Sequence, residues 1–263
     1  MHKPTPPKQY TQGWTEFYKL KFHLTRDVLI PRPETELLVD AVLSLCHPQP
    51  DWGSKNENYL VDSRLRGNDK VVTVLDLGTG SGCVAISIAK NAKNTRIIAT
   101  DVSKEALKVA EKNAKFHRVE NQIIFLQSDL LSFWSNSLVY HTKPQIDVIV
   151  TNLPYIPTAR LMYIDPMVTE FEPRVALDGG MDGFELYRKL FQQMSPPLGV
   201  KQFHPGGGTA PGRTARIPKY LFGEIDYTHG ELAVQEALKY FPKAEVEVVK
   251  DLAHMQRVLK IKF

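Results

Sequence analysis

The run Val71-Val72-Thr73-Val74-Leu75-Asp76-Leu77-Gly78-Thr79-Gly80-Ser81-Gly82 decides the fold. Its β-branched first half predicts a strand over residues 71–75, and the glycines that follow mark a sharp turn. Residues 83–93 then read as a helix. Working outward, the alternation repeats. Residues 96–100 predict a second strand closing on Asp101, with Ser103 as N-cap of a helix to about Phe116. Apolar runs at 122–126, 146–151 and 220–225 predict further strands. Residues 181–193 and 228–241 predict helices, the latter opened by a capping box in Thr228-His229-Gly230-Glu231. Residues 244–249 and 256–263 predict two strands joined too tightly to be parallel. The expected fold class is α/β, a doubly wound, mostly parallel seven-stranded sheet covered on both faces and antiparallel at its C-terminal strand.

Upstream, residues 17–22 and 23–29 predict a hairpin. Pro33 starts a helix to about Cys46, in the first turn where its missing N–H costs nothing. The expected organisation is a hairpin-and-helix segment over 1–46, an inserted loop over 47–70, and a main domain over 71–263 carrying a second inserted loop at 196–218. The first loop is polar; the second holds five prolines and Pro205-Gly206-Gly207-Gly208. Segments of that length without periodicity are usually functional or disordered.

Composition narrows the class. With 263 residues, 43% of them hydrophobic, the chain buries a core without covalent staples. Its two cysteines, Cys46 and Cys83, make neither a disulfide framework nor a four-thiolate zinc site. No signal-peptide core is read at the N-terminus and no apolar run approaches the ~18–20 residues of a membrane span, so a cytoplasmic protein is expected. The net charge is +4, but positions 196–219 hold Lys201, Arg213, Arg216 and Lys219 and no acid. Taking those four from the 33 basic residues leaves 29, against 29 acids. The excess belongs to one loop, not to a nucleic-acid-binding face. His117, His204, His229 and His254 lack metal-ligand spacing, and no metal is expected.

The glycine turn has G-x-G-x-G spacing, not the G-x-G-x-x-G of a dinucleotide fingerprint. Asp101, 19 residues after Gly82, stands where a strand-end acid accepts ribose hydroxyls. Asp129 follows the third strand and is placed to accept from an adenine amino group. A plain tight turn with a strand-end cap is the alternative. A nucleoside cofactor without a pyrophosphate cradle favours S-adenosylmethionine over NAD.

After the fourth strand comes Thr151-Asn152-Leu153-Pro154-Tyr155, at a carboxyl end where ligands of such sheets sit. The Asn152 side-chain oxygen and the Leu153 carbonyl form two adjacent acceptors, suited to holding both hydrogens of a planar NH2 group. Pro154 fixes its own φ and extends Leu153. Tyr155 offers a flat face. An amide nitrogen is a poor nucleophile, so catalysis would rest on in-line positioning and on stabilising charge that develops on nitrogen, without a strong base. An ordinary Asn turn with a packing Tyr is the plainer alternative.

Four stretches now occur in order: Val28-Leu29-Ile30-Pro31-Arg32-Pro33-Glu34-Thr35-Glu36, the Asp76–Gly82 turn, Asn152-Leu153-Pro154-Tyr155, and Phe171-Glu172-Pro173-Arg174-Val175-Ala176-Leu177-Asp178-Gly179-Gly180. Together they closely resemble the protein-(glutamine-N5) methyltransferases that modify peptide chain release factors, the HemK/PrmC family. The similarity covers most of residues 10–46, 71–195 and 219–263. It implies a Rossmann-like class I methyltransferase fold. It implies S-adenosyl-L-methionine bound by Gly78, Thr79, Gly80, Ser81, Gly82 and Asp101, with Asp129 and Leu130 near the adenine and Asn152 at the methyl. It implies that Asn152, Leu153, Pro154 and Tyr155 form the catalytic and substrate-binding slot for the glutamine of a Gly-Gly-Gln loop. It implies that the Arg32–Glu36 region, numbers 32–36, flanks cofactor and substrate. The implied partners are class I release factors, with no membrane and no direct nucleic acid, and the chain is expected to act as a monomer.

Three departures qualify the resemblance. Leu153 stands where the family has proline, which removes one φ lock worth roughly 0.4–1 kcal/mol of local order, so activity is expected to be reduced. The family's N-terminal helical domain has no expected counterpart. The two loops have the character of insertions, and Pro205–Gly208 (numbers 205–208) reads as a displaced remnant of a family turn. Two other readings compete. One is an adenine-N6 nucleic-acid methyltransferase, which needs base flipping and a docking surface. The other is a weakly active or inactive cofactor-binding homologue.

Overall fold

The computed structural model describes residues 5–46, 71–135, 145–194 and 218–263. Both expected inserted loops, including 205–208, lie essentially outside the described residues. The expected seven-stranded sheet is present, in the order β5-β4-β3-β6-β7-β9-β8. Its strands are β3 (Val72–Leu77), β4 (Thr95–Asp101), β5 (Ile123–Gln127), β6 (Val148–Thr151), β7 (Tyr220–Glu224), β8 (Glu245–Lys250) and β9 (Gln256–Lys262). The first five are parallel; β9 runs antiparallel between β7 and β8.

Central position explains composition. Every residue of β3 is buried, because β4 and β6 flank it and helices cover both faces. Side chains alternate between two apolar layers, as the two-residue period of a strand requires. Val74, Val148 and Phe222 face one layer, shared with Leu38 and Val42 of α2 (Glu36–Cys46) and Ile86 of α3 (Cys83–Asn91). Leu75, Ile149 and Leu221 face the other, with Phe184, Leu190 and Ala237. Ser103 caps α4 (Lys104–His117) as expected, its hydroxyl accepting from Ala106 N–H at 3.1 Å.

The N-terminal segment departs from expectation. A short helix, α1 (Lys8–Gln12), comes first, and the hairpin lies earlier than the sequence suggested, as β1 (Trp14–Phe17) and β2 (Leu20–His23). The turn is Tyr18-Lys19, both with positive φ (50° and 58°), the twist a two-residue hairpin turn needs. Without Gly or Asn, it is held by side chains. Glu36 accepts the Tyr18 N–H at 2.6 Å, and the Tyr18 hydroxyl donates to Asp40 at 2.7 Å. Residues 24–29 form no strand; Leu24, Val28 and Ile30 instead pack on Ala106 and Val109 of α4.

Two helix starts also move. The short helix α5 (Pro166–Thr169) precedes α6, which begins at Glu185, not 181, and runs to Met194. The expected capping box at Thr228 does not form: α7 (Gly230–Tyr240) starts after His229, and the Thr228 hydroxyl donates to Asp226 at 2.7 Å. The neighbouring acid captured the cap.

Candidate active site

The carboxyl ends of β3, β4 and β6 open into a cavity of about 350 Å³. The glycine loop forms its floor. Gly78, Gly80 and Gly82 all have positive φ (71°, 55° and 80°), but they serve different ends. A Cβ on Gly80 would meet nothing closer than 4.0 Å. A Cβ on Gly82 would lie 2.9 Å from Ile86 Cδ1 and 3.1 Å from Ala110 Cβ. Gly80 faces the open cavity, whereas Gly82 lets α4 pack against the start of α3.

Acids brace this loop from beneath. Thr79 donates to Asp76 at 2.7 Å, and Gly80 N–H donates to Asp101 at 2.9 Å. The other oxygen of Asp101 accepts Ser103 N–H at 2.9 Å. A carboxylate has about four lone-pair sites, so Asp101 retains acceptor capacity for a ligand. Burial pushes the Asp76 carboxyl up to about 7 and raises that of Asp101. Asn113, fully buried, ties the loop to the hairpin: its amide donates to Ser81 O at 2.9 Å and exchanges bonds with His23. Asp129 and Leu130 line the same cavity. Asp129 is half-exposed and paired with Lys189 at 2.5 Å, so its carboxylate is shared with a neighbouring cation.

Asn152 emerges from β6 onto the cavity wall, beside Leu153 and Pro154. Its Nδ2 donates to Thr35 Oγ1 at 3.2 Å. The Thr35 hydroxyl in turn donates to Glu224 at 2.6 Å, and Tyr155 donates to the other oxygen of Glu224 at 3.1 Å. Glu224 is buried at the end of β7, and burial pushes its carboxyl up to about 6. The Tyr155 hydroxyl is raised too, first by burial and then by Glu224. Leu153 is buried in the apolar layer that includes Leu75, Leu77 and Leu130.

The remaining stretches singled out in sequence brace this loop. Gly179 N–H donates to Ile156 O at 2.8 Å, and Ile156 N–H donates to Leu177 O at 3.1 Å. A Cβ on Gly179 would sit 2.7 Å from Pro154 O and 2.8 Å from Tyr155 Cα, so only glycine permits this approach. Buried Glu172 accepts Ile30 N–H at 3.1 Å and pairs with Arg32, joining two stretches 140 residues apart.

The structure thus brings Gly78, Gly80, Asp101, Leu130 and Asn152 to one cavity. Thr35 lies in the 32–36 region that the resemblance sets beside cofactor and substrate, but its bonds to Asn152 and Glu224 are not encoded in any local pattern, and Glu224 was not among the expected site residues. Glu224 had one signal, a lone acid closing the otherwise apolar run Tyr220-Leu221-Phe222-Gly223. Among the described residues there is no cluster of three or more potential metal ligands, and no helix long and apolar enough to cross a membrane.

Comparison with known proteins gives the family. The family model for ribosomal protein L11 methyltransferase (PrmA) matches residues 59–168. The catalytic domain of human Mettl16, solved in complex with MAT2A 3'UTR hairpin 6, superposes with a TM-score of 0.60 at 13% identity, over 94% of this chain and 76% of that one. That likeness shows the fold alone. Named relatives go further and define the class, an S-adenosylmethionine-dependent methyltransferase. A release factor glutamine methyltransferase from Bacillus cereus is 33% identical over 96% of this chain, which covers 75% of that protein. One from Koribacter versatilis is 37% identical over 96% of this chain, which covers 73% of it. The chain belongs to the release factor glutamine methyltransferase family.

Proposed function

We propose that this protein transfers a methyl group from S-adenosyl-L-methionine to the side-chain amide nitrogen (N5) of the glutamine in the Gly-Gly-Gln motif of peptide chain release factors. The observation that carries the reading is the Asn152 amide on the wall of the cavity that the glycine loop floors. With Nδ2 committed to Thr35, the amide oxygen is the branch left for a substrate N–H.

The cavity fits the cofactor. Gly80 is open to it, Asp101 has acceptor sites for ribose hydroxyls, and Leu130 with Ser128 and Asp129 provides an apolar wall with a polar edge for a base. Asp129, paired with Lys189, would offer its remaining acceptor sites to an adenine amino group. When bound, the cofactor supplies an already activated sulfonium methyl, so the chain's task is positioning. Asn152 Oδ1 and the Leu153 carbonyl accept the two hydrogens of the glutamine amide. Pro154 sets the second acceptor, and Tyr155, which does not line the cavity, braces the loop through its hydroxyl on Glu224. The acceptors also stabilise positive charge growing on nitrogen as it attacks. A translation factor as substrate places the activity in the cytoplasm.

The test is methyl transfer to a purified class I release factor by the intact chain and by Asn152→Ala. We expect transfer with the former and a loss of about 100-fold or more with the latter, the scale seen when a preorganised polar group is removed. Equal rates would sink the assignment of Asn152.

A further inference from the structure

We infer that Thr35 and Glu224 are positioning residues that fix which way round the Asn152 amide sits, so that its oxygen and not its NH2 meets the substrate nitrogen. The inference rests on the function proposed above and adds a specificity device to it.

The protons available at Thr35 decide the orientation. An ionised carboxylate only accepts hydrogen bonds. Glu224 Oε2 lies 2.6 Å from Thr35 Oγ1, so the single hydroxyl proton of Thr35 is committed to Glu224. Thr35 Oγ1 then has only lone pairs to offer. The atom of Asn152 that lies 3.2 Å from it must be the donor, Nδ2. In a planar amide the oxygen occupies the other branch. The reversed amide would set two oxygens together with no proton between them, with Thr35 buried away from water.

The same carboxylate holds the far end of the slot. Glu224 Oε1 accepts the Tyr155 hydroxyl at 3.1 Å, while the Glu224 backbone carbonyl accepts the Tyr187 hydroxyl at 2.6 Å. One buried acid therefore orients both Asn152, through Thr35, and Tyr155, directly. Arg257 and Glu34 are the charged groups whose fields act on it, in opposite senses. The chemical consequence is selection. With oxygen outward the slot accepts from a group with two N–H donors; with NH2 outward it would oppose that group donor to donor.

Three variants of the full chain test this: Thr35→Ser, Thr35→Val and Glu224→Gln. Transfer to a release factor is read as kcat and KM, and cofactor affinity by calorimetry. Thr35→Ser keeps the hydroxyl and should stay within about threefold of the starting kcat, whereas isosteric Thr35→Val should lose about 10–100-fold. Thr35 lines the cofactor cavity, so affinity is read beside kcat: the kcat difference between the two variants should exceed any difference in cofactor affinity. Glu224→Gln should lose kcat and also the part of the acid limb set by Glu224, because protonated Glu224 frees the Thr35 proton to point the other way; Asp76, raised to about 7 in the same cavity, keeps its own part. Equal losses in Thr35→Ser and Thr35→Val, or no loss in Thr35→Val, would overturn the proposal. So would an acid limb that Glu224→Gln leaves unaltered.

A second readout needs neither activity nor a folded variant. The Asn152 side-chain amide protons, followed by NMR in the unsubstituted chain, should shift between about pH 5 and pH 8 as Glu224 titrates. A pH-invariant signal would overturn the proposal. If the unsubstituted chain transfers nothing to release factors while this signal titrates, the substrate assignment fails and the orientation device stands.

Discussion

Glu172 reaches from the loop beyond Tyr155 to hold Arg32, and it accepts the Ile30 N–H in the same pocket. The stretch before α2 is thereby fastened to the stretch that braces the Asn152–Tyr155 loop, numbers 152–155. Glu172→Ala leaves the Ile30 N–H unsatisfied and one buried partner of an ion pair missing. Arg32 is 34% exposed and keeps its water, so stability should fall by about 1–3 kcal/mol, the cost of the buried unsatisfied N–H. Urea unfolding measures it; a change below about 0.5 kcal/mol, the scale of a surface substitution, would show the link to be idle.

The glycines of the loop should separate in their effects. Gly82→Ala drives a Cβ against Ile86 and Ala110 at positive φ and should cost about 2–4 kcal/mol of stability. Gly80→Ala meets open space and should cost only about 1–2 kcal/mol, the left-handed backbone penalty, while weakening cofactor binding. Thermal unfolding and cofactor calorimetry on the two variants check the division.

Leu153→Pro should move two observables in opposite directions. The restored φ lock is worth about 0.4–1 kcal/mol of loop order, roughly two- to fivefold in kcat. The leucine it replaces is buried among Leu75, Leu77 and Leu130, and losing those carbons should cost about 1–3 kcal/mol of folding stability. A rate that stays level or falls would contradict the account of the loop.

The contributions of Asp76 and Glu224 to stability should decline as pH rises from about 4 to about 7, opposed by His23, His117 and His229, whose burial lowers their pKa and makes their contribution grow with pH. Burial raises the folded-state pKa of Asp76 to about 7 and of Glu224 to about 6. Each group binds its proton more tightly folded than unfolded, so its stabilising contribution is complete below the unfolded value. That contribution is lost as pH climbs through the folded one, with a slope of up to about 1.4 kcal/mol per pH unit per group. Urea titrations across this range should show a shallower decline in Asp76→Asn and in Glu224→Gln. An unaltered slope in both would show that neither carboxyl titrates in that window.

Much of this architecture was legible because local pattern and tertiary role agree. An apolar β-branched run before Asp76 is a central strand, and glycines after it are a turn open to a ligand. Asn152 was legible for the same reason, as a polar group at a buried strand's carboxyl end. The hairpin turn was not, because Tyr18 and Lys19 adopt left-handed backbone only with Glu36 and Asp40 to hold them. The start of α7 was misread because Asp226 competes for the Thr228 hydroxyl. Glu224 escaped because its partners, Thr35 and Tyr155, lie 189 and 69 residues away. No local spacing encodes such a contact.

In the proposed function the amide held at Asn152 belongs to the glutamine of a Gly-Gly-Gln loop. The most direct measurement is labelled-methyl transfer to a purified class I release factor, alongside the same factor with that glutamine replaced. Label is expected in the first and none in the second. Label that persists in the second, or that enters adenine-containing nucleic acid and not the release factor, would contradict that function.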